Sequence, residues 1–126
     1  MESKYIEIRD IILRNIPGAG NYPTSINGLR IVRRENTTEF LRCFYNPSCI
    51  IVLQGLKHML YGNENILYTK GQYVVSCTDI PVSSRVAEAT LEEPFVALIL
   101  ELDANIISDL IPVSYTHLRA HETDQY

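Results

Sequence analysis

The first part of the chain repeats its apolar residues every three to four positions. After about residue 29 they alternate or gather in short unbroken runs. Tyr5, Ile8, Ile12 and Ile16 recur at helical spacing, with Glu7, Asp10 and Arg14 elsewhere around the wheel. This predicts a short amphipathic helix over 4–16, ended by Pro17-Gly18. Residues 17–28 are rich in Gly, Asn and Pro and read as a connector.

From Leu29 the pattern predicts strands. Residues 29–34 alternate in part. Residues 49–54 form a continuous apolar run, β-branched in the middle, which suits a strand covered on both faces. Residues 57–61 and 65–69 flank Gly62-Asn63-Glu64 as a hairpin. Residues 72–77 and 82–89 are further candidates, and Pro81 fits an edge or a strand start. Residues 95–102 are the strongest buried strand. Asp103 is a good N-cap for a last helix over 104–111, with Ile106, Ile107, Leu110 and Ile111 on one face. Seven or eight strands with turn residues between them predict an all-β antiparallel sandwich or barrel, with a short helix at each end.

Length allows one domain: the chain has 126 residues. At 46% hydrophobic and 21% charged residues it is too apolar for disorder. Apolar runs never reach 18 residues, so no membrane span is expected, and charges from Glu2 to Arg14 argue against a signal peptide. A net charge of −4 argues against a self-sufficient nucleic-acid binder.

Candidate chemistry is sparse. Cys43, Cys49 and Cys77 lack a zinc spacing and read as small buried hydrophobes in a reducing cytoplasm; a Cys43–Cys49 disulfide is the lesser alternative. Gly18-Ala19-Gly20 follows a helix rather than a strand, which is the wrong setting for a phosphate loop. Asn36-Thr37-Thr38 matches a glycosylation acceptor by chance, and Glu92-Glu93 reads as a solvated turn. One His outside the tail supports no catalytic triad. Tyr61, Tyr68 and Tyr73 suit either a barrel wall or a ligand pocket. Gln54 and Arg85 are polar residues within apolar strands, and either could orient a ligand. The expected interior is a cavity lined mainly by Ile, Val and Leu from 49–54, 72–77 and 95–102. Its few polar groups come from Gln54, Tyr68, Tyr73 and Arg85.

The last fourteen residues, 113–126, lack this apolar density. The string from Val113 to Thr123 resembles a translated sequencing-adapter tail, which implies a non-native segment after Pro112. His117 and His121 have the spacing of a helical metal pair but fall inside it.

Several segments in order carry a family likeness. Thr24 to Leu29 is followed by Asn46-Pro47-Ser48 and Val52-Leu53-Gln54-Gly55-Leu56-Lys57. Then come Tyr68-x-x-Gly71-x-Tyr73, Asp79-Ile80-Pro81-Val82 and Glu93 to Leu98. Over about residues 10–112 this order resembles the N-terminal domain of AraC-type transcriptional regulators. The resemblance implies a cupin-like β-barrel, residues 1–112, that senses a small molecule or mediates dimerisation. It also implies a helix-turn-helix domain C-terminal to the barrel and missing from this chain, through which alone DNA would be bound. The expected partners are an unidentified small-molecule effector and a second copy of the chain in a homodimer, in the cytoplasm. Metal cupins need a His-x-His, a Glu and a later His. The matching hairpin holds only His58 and Glu64, so no metal, cofactor or catalytic residue is expected and His58 reads as a strand residue. The rivals are a ligand-free dimerisation module and, from another class, a small cupin enzyme.

Overall fold

The computed structural model describes residues 2–76 and 80–103. One helix, α1 (Glu2–Asn15), precedes the strands. The first five are β1 (Gly20–Pro23), β2 (Leu29–Arg34), β3 (Leu41–Tyr45), β4 (Ser48–Gln54) and β5 (Leu56–Tyr61). The remaining four are β6 (Glu64–Tyr68), β7 (Tyr73–Ser76), β8 (Ile80–Glu88) and β9 (Phe95–Glu101). They form two antiparallel sheets, one in the order β1-β2-β9-β4-β7 and the other in the order β3-β8-β5-β6. The expected antiparallel β-architecture with an N-terminal helix is therefore present. The helix expected over 104–111, the tail 113–126, Cys77 and Asp79 lie outside the described residues.

The strand pattern explains the layering. In β9, Val96 and Leu98 join the cluster that packs on α1, while Phe95, Ala97 and Ile99 join the cluster on the sheet's other face. Alternating side chains on one strand thus serve two layers. β4 does the same, with Ile51 and Leu53 toward the helix and Ile50 and Val52 toward the other sheet. Its unbroken apolar run is what a strand covered on both faces requires. Ile12 and Ile16 are the buried anchors from the helix end, and Leu53 and Val96 are fully enclosed beneath them. Each such side chain contributes roughly 1.5–3 kcal/mol by leaving water. Ile8, expected on the same apolar face, is 38% exposed.

Two strands correct the sequence reading. β1 lies within the stretch read as a connector: it is short, carries Gly and Pro, and pairs at an edge with β2 from Gly20↔Arg33 to Pro23↔Arg30. An edge strand tolerates that proline. β3 is the other, held by pairing with β8 from Leu41↔Ser84 to Tyr45↔Ile80. Its sequence, Leu-Arg-Cys-Phe-Tyr, has no clean alternation, and pairing partners far along the chain decide its state. The β5–β6 hairpin closes on Gly62-Asn63, because Glu64 already pairs with Tyr61. Gly62 has φ of 59°, the value a two-residue hairpin turn asks of its first residue.

Gly55 carries the chain from β4 in one sheet to β5 in the other. Its φ is 89°, and a Cβ there would lie 2.7 Å from the Glu88 carbonyl oxygen. Only glycine fits both the conformation and the close approach.

Candidate functional site

Between the sheets lies a cavity of about 320 Å³. The five-stranded sheet supplies one wall: Arg30, Val32 and Arg34 from β2, and Ser48 and Ile50 from β4. Phe95, Ala97, Ile99 and Glu101 of β9 complete that wall. The four-stranded sheet contributes Lys57 of β5 and Val86 of β8, and Thr38, Leu41 and Phe44 stand along the β3 edge. Asn21 and Asn46 add two side-chain amides. Val32, Ile50, Val86, Phe95 and Ala97 belong to one buried apolar cluster, so part of the wall is apolar core. The small side chain of Ala97, between Phe95 and Ile99, leaves room there.

Two of the charged groups, both arginines, come from β2. Residues 30, 32 and 34 share one face of that strand, and residues 31 and 33 share the other. Arg30 and Arg34 therefore line the cavity while Arg33 lies on the helix side, where its Nη1 donates to the Ile16 carbonyl at 2.6 Å. Arg33 Nη2 also lies 3.1 Å from Glu35 Oε2. Arg30 Nη1 donates to Glu101 Oε1 at 3.0 Å, and its buried Nε has no hydrogen-bond partner. Arg34 Nη1 donates to the Arg33 carbonyl at 3.1 Å.

The residues singled out from the sequence scatter. Arg85 contributes to the cavity wall, but its guanidinium stacks over the Phe40 ring, 5.1 Å from the centroid. The register pairs it with His58, on the opposite strand face from Val86. Gln54 follows a register shift between β4 and β9, and its Nε2 donates to the Pro94 carbonyl at 2.9 Å. It lines a shallow cleft at one end of the barrel rather than the inter-sheet cavity. Tyr68 pairs with Lys57 and packs half-buried against the inter-sheet cluster, without lining the cavity. Tyr73 is 61% exposed and does not reach the cavity. It sits on the edge strand β7 opposite Ile51, so it shares the face turned away from the other sheet. The expected lining is corrected too: β7 contributes nothing and β2 contributes three residues. Polar side chains make up about half of the wall.

The signal for Arg30 and Arg34 was available in the sequence. Two arginines four apart in a strand, with a valine midway, share a face. What alternation could not tell is that this face points inward.

His58 is half-buried on the outer face of its sheet. Its Nε2–H donates to Asn65 Oδ1 at 2.7 Å, and its ring meets Phe40 edge-on at 4.9 Å. Among the described residues no three His, Cys, Asp or Glu side chains gather where they could hold a metal ion. Cys43 and Cys49 are free thiols, and burial pushes the Cys49 thiol up from its ordinary value. No helix among the described residues is long and apolar enough to cross a membrane.

Comparison with known proteins returns a family and a fold. Residues 25–125 match the family described as the AraC-type transcriptional regulator N-terminus. No curated protein matches the sequence. Among solved structures, a cupin-2 domain protein from Shewanella frigidimarina is similar with a TM-score of 0.52 at 12% identity. The similarity covers 81% of this chain and 100% of that one. Protein NMB1881 from Neisseria meningitidis is similar with a TM-score of 0.52 at 9% identity, covering 75% of this chain and 95% of that one. At such identities the likeness is one of fold: the barrel is cupin-like.

Proposed function

Because the chain belongs to the family of AraC-type transcriptional regulator N-termini, we propose that its barrel is the effector-sensing domain of such a regulator. The observation that carries this reading is the cavity of about 320 Å³ between the sheets, which has an apolar core side and a set of polar groups. Ligand pockets run from about 300 Å³ upward and combine those two kinds of wall. A molecule held there would touch both sheets, and so could change how a second domain is presented. In this reading residues 1–112 form the sensor and the barrel performs no catalysis. DNA is bound by a helix-turn-helix domain C-terminal to it, in the cytoplasm. The segment 113–126 is a non-native tail. The family match runs on to residue 125, so the tail is decided by resequencing the gene across the Pro112 codon.

The test is a thermal-shift screen of cell metabolites against the purified chain. At a hundred times its dissociation constant, an effector stabilises the fold by about 2.7 kcal/mol. At least one compound is expected to raise the melting temperature, and filling the cavity with Ala97→Leu is expected to abolish that rise. A silent screen would defeat the reading.

One observation favours a second reading, a ligand-free dimerisation module. α1 packs against the five-stranded sheet, while the four-stranded sheet leaves Phe44 71% and Leu67 56% exposed. Large exposed apolar side chains, here one on each edge strand of that sheet, are a feature of association surfaces. A tight dimer in sedimentation, together with a silent ligand screen, would select it.

A further inference from the structure

Resting on the sensing reading, we infer that the effector is a small organic anion, a carboxylate with an apolar body. The whole chain carries a net charge of −4, yet its cavity wall is cationic. Its lining holds Arg30, Arg34, Lys57 and Arg85 and one acidic residue, Glu101, and Arg30 already engages that carboxylate. Positive charge concentrated in a recess of an acidic protein favours an anion there and disfavours one on the surrounding surface.

The individual groups agree with this. Arg30 Nε is buried without a partner, and a donor in that state is costly until an acceptor reaches it. Arg34 spends one Nη on the neighbouring Arg33 carbonyl. A guanidinium offers five donors in a flat fork that suits a carboxylate, so its capacity is largely unspent. The same sheet also presents an apolar surface to the cavity, Val32, Ile50, Phe95 and Ala97, with Val32 between the two arginines. A ligand charged throughout would strand its charge against that surface, and a wholly apolar one would leave Arg30 Nε still without an acceptor. An anionic head on a short apolar body satisfies both kinds of surface.

The experiment uses matched pairs that differ in charge and hardly in shape. The purified chain is titrated calorimetrically, at low ionic strength, with acetate, phenylacetate, benzoate and succinate. The neutral amides acetamide, phenylacetamide, benzamide and succinamide are titrated in parallel. The expected result is that at least one carboxylate binds at least tenfold more tightly than its amide. Its affinity falls at least tenfold in Arg34→Gln, is partly restored in Arg34→Lys, and weakens with added salt. If Arg34→Gln does not fold, Arg30→Gln serves in its place with the same expectation. Amides that bind as well as their acids, or binding indifferent to both arginines, would overturn the inference. Silence from every carboxylate would overturn it as well. The sensing reading is judged separately: neutral sugars or nucleosides that raise the melting temperature in the wider screen would sustain it while the anion inference fell.

Discussion

The two faces of the five-stranded sheet carry neighbouring residues of the same strands and do opposite work. Under α1, Leu53 and Val96 are fully buried against Ile12 and Ile16. On the other face, one residue along, Ala97 and Ile50 look across a cavity toward Lys57 and Val86. β2 shows the same division with one residue type. Arg33 ties the end of the helix segment to the sheet through the Ile16 carbonyl, and Arg34 faces the cavity. The helix face is filled to hold the fold, and the inter-sheet face is left partly open. A closed layer and an open one are thereby separated by strand parity, which makes the difference measurable by substitution.

The largest effect is expected on the filled face. Leu53→Ala leaves a void where the surroundings are closed on every side, and should cost about 2–5 kcal/mol in chemical denaturation. A cost under 1 kcal/mol would mean that the helix layer is loose and that the contrast with the cavity is false.

Gly55 joins the two sheets, so Gly55→Ala strains both faces at once. Its φ of 89° and the Glu88 carbonyl at 2.7 Å from a new Cβ leave no room for a side chain. A loss of about 1–3 kcal/mol is expected for a residue forced into that region, read as a lower denaturation midpoint.

Arg33→Met separates the neighbouring arginines. It removes a charge-assisted hydrogen bond to the Ile16 carbonyl and should cost about 1.5–3 kcal/mol, with faster hydrogen exchange in α1. Arg34, on the cavity face, should show its effect in ligand affinity instead. Equal stability losses at both positions would erase the distinction.

Ala97→Val adds two methyl carbons where the cavity has space. Its cost should stay under about 1.5 kcal/mol, well below that of Leu53→Ala, because the added atoms enter a void rather than a packed layer. A large loss would show that the cavity closes in solution.

The smallest effect concerns pH. Burial raises the Cys49 thiol pKa in the folded chain, so between the unfolded and folded values the native state holds a proton that the unfolded state has released. Stability from this group is whole below the unfolded value and declines as pH rises from there toward the folded one. Cys49 is only half-buried, so the decline should be shallow and absent from Cys49→Ala. Thiol-specific labelling of Cys49 near neutral pH should be slow relative to a free thiol.

Several elements were legible because local pattern and tertiary role coincide. The run 49–54 is apolar throughout since β4 is covered on both faces, and its observed span is Ser48–Gln54. The strand expected over 95–102 is Phe95–Glu101, and the helix expected over 4–16 is Glu2–Asn15. The edge strands β1 and β3 were not legible: β1 is four residues with Gly and Pro in a turn-like stretch, paired with the strand that follows it, and β3 has no alternation and is held by β8 far along the chain. The site was the least legible part. Tyr73 and Gln54 looked like pocket residues from their strands, and they lie elsewhere because an edge position and a register shift set their surroundings.

Periodicity and punctuation in the sequence alone determined one helix, a succession of short antiparallel strands and the positions of the main turns. These depend on side chains close in sequence, and the order of motifs was enough to indicate the family. Tertiary structure alone decided which face of β2 points inward, and hence that Arg30 and Arg34 line the cavity while Arg33 holds the helix segment. Alternation divides a strand into two sets of residues and carries no label for either set. That label comes from the neighbouring strands and the layers that cover them, which here are separated by as many as seventy-one positions between Arg30 and Glu101.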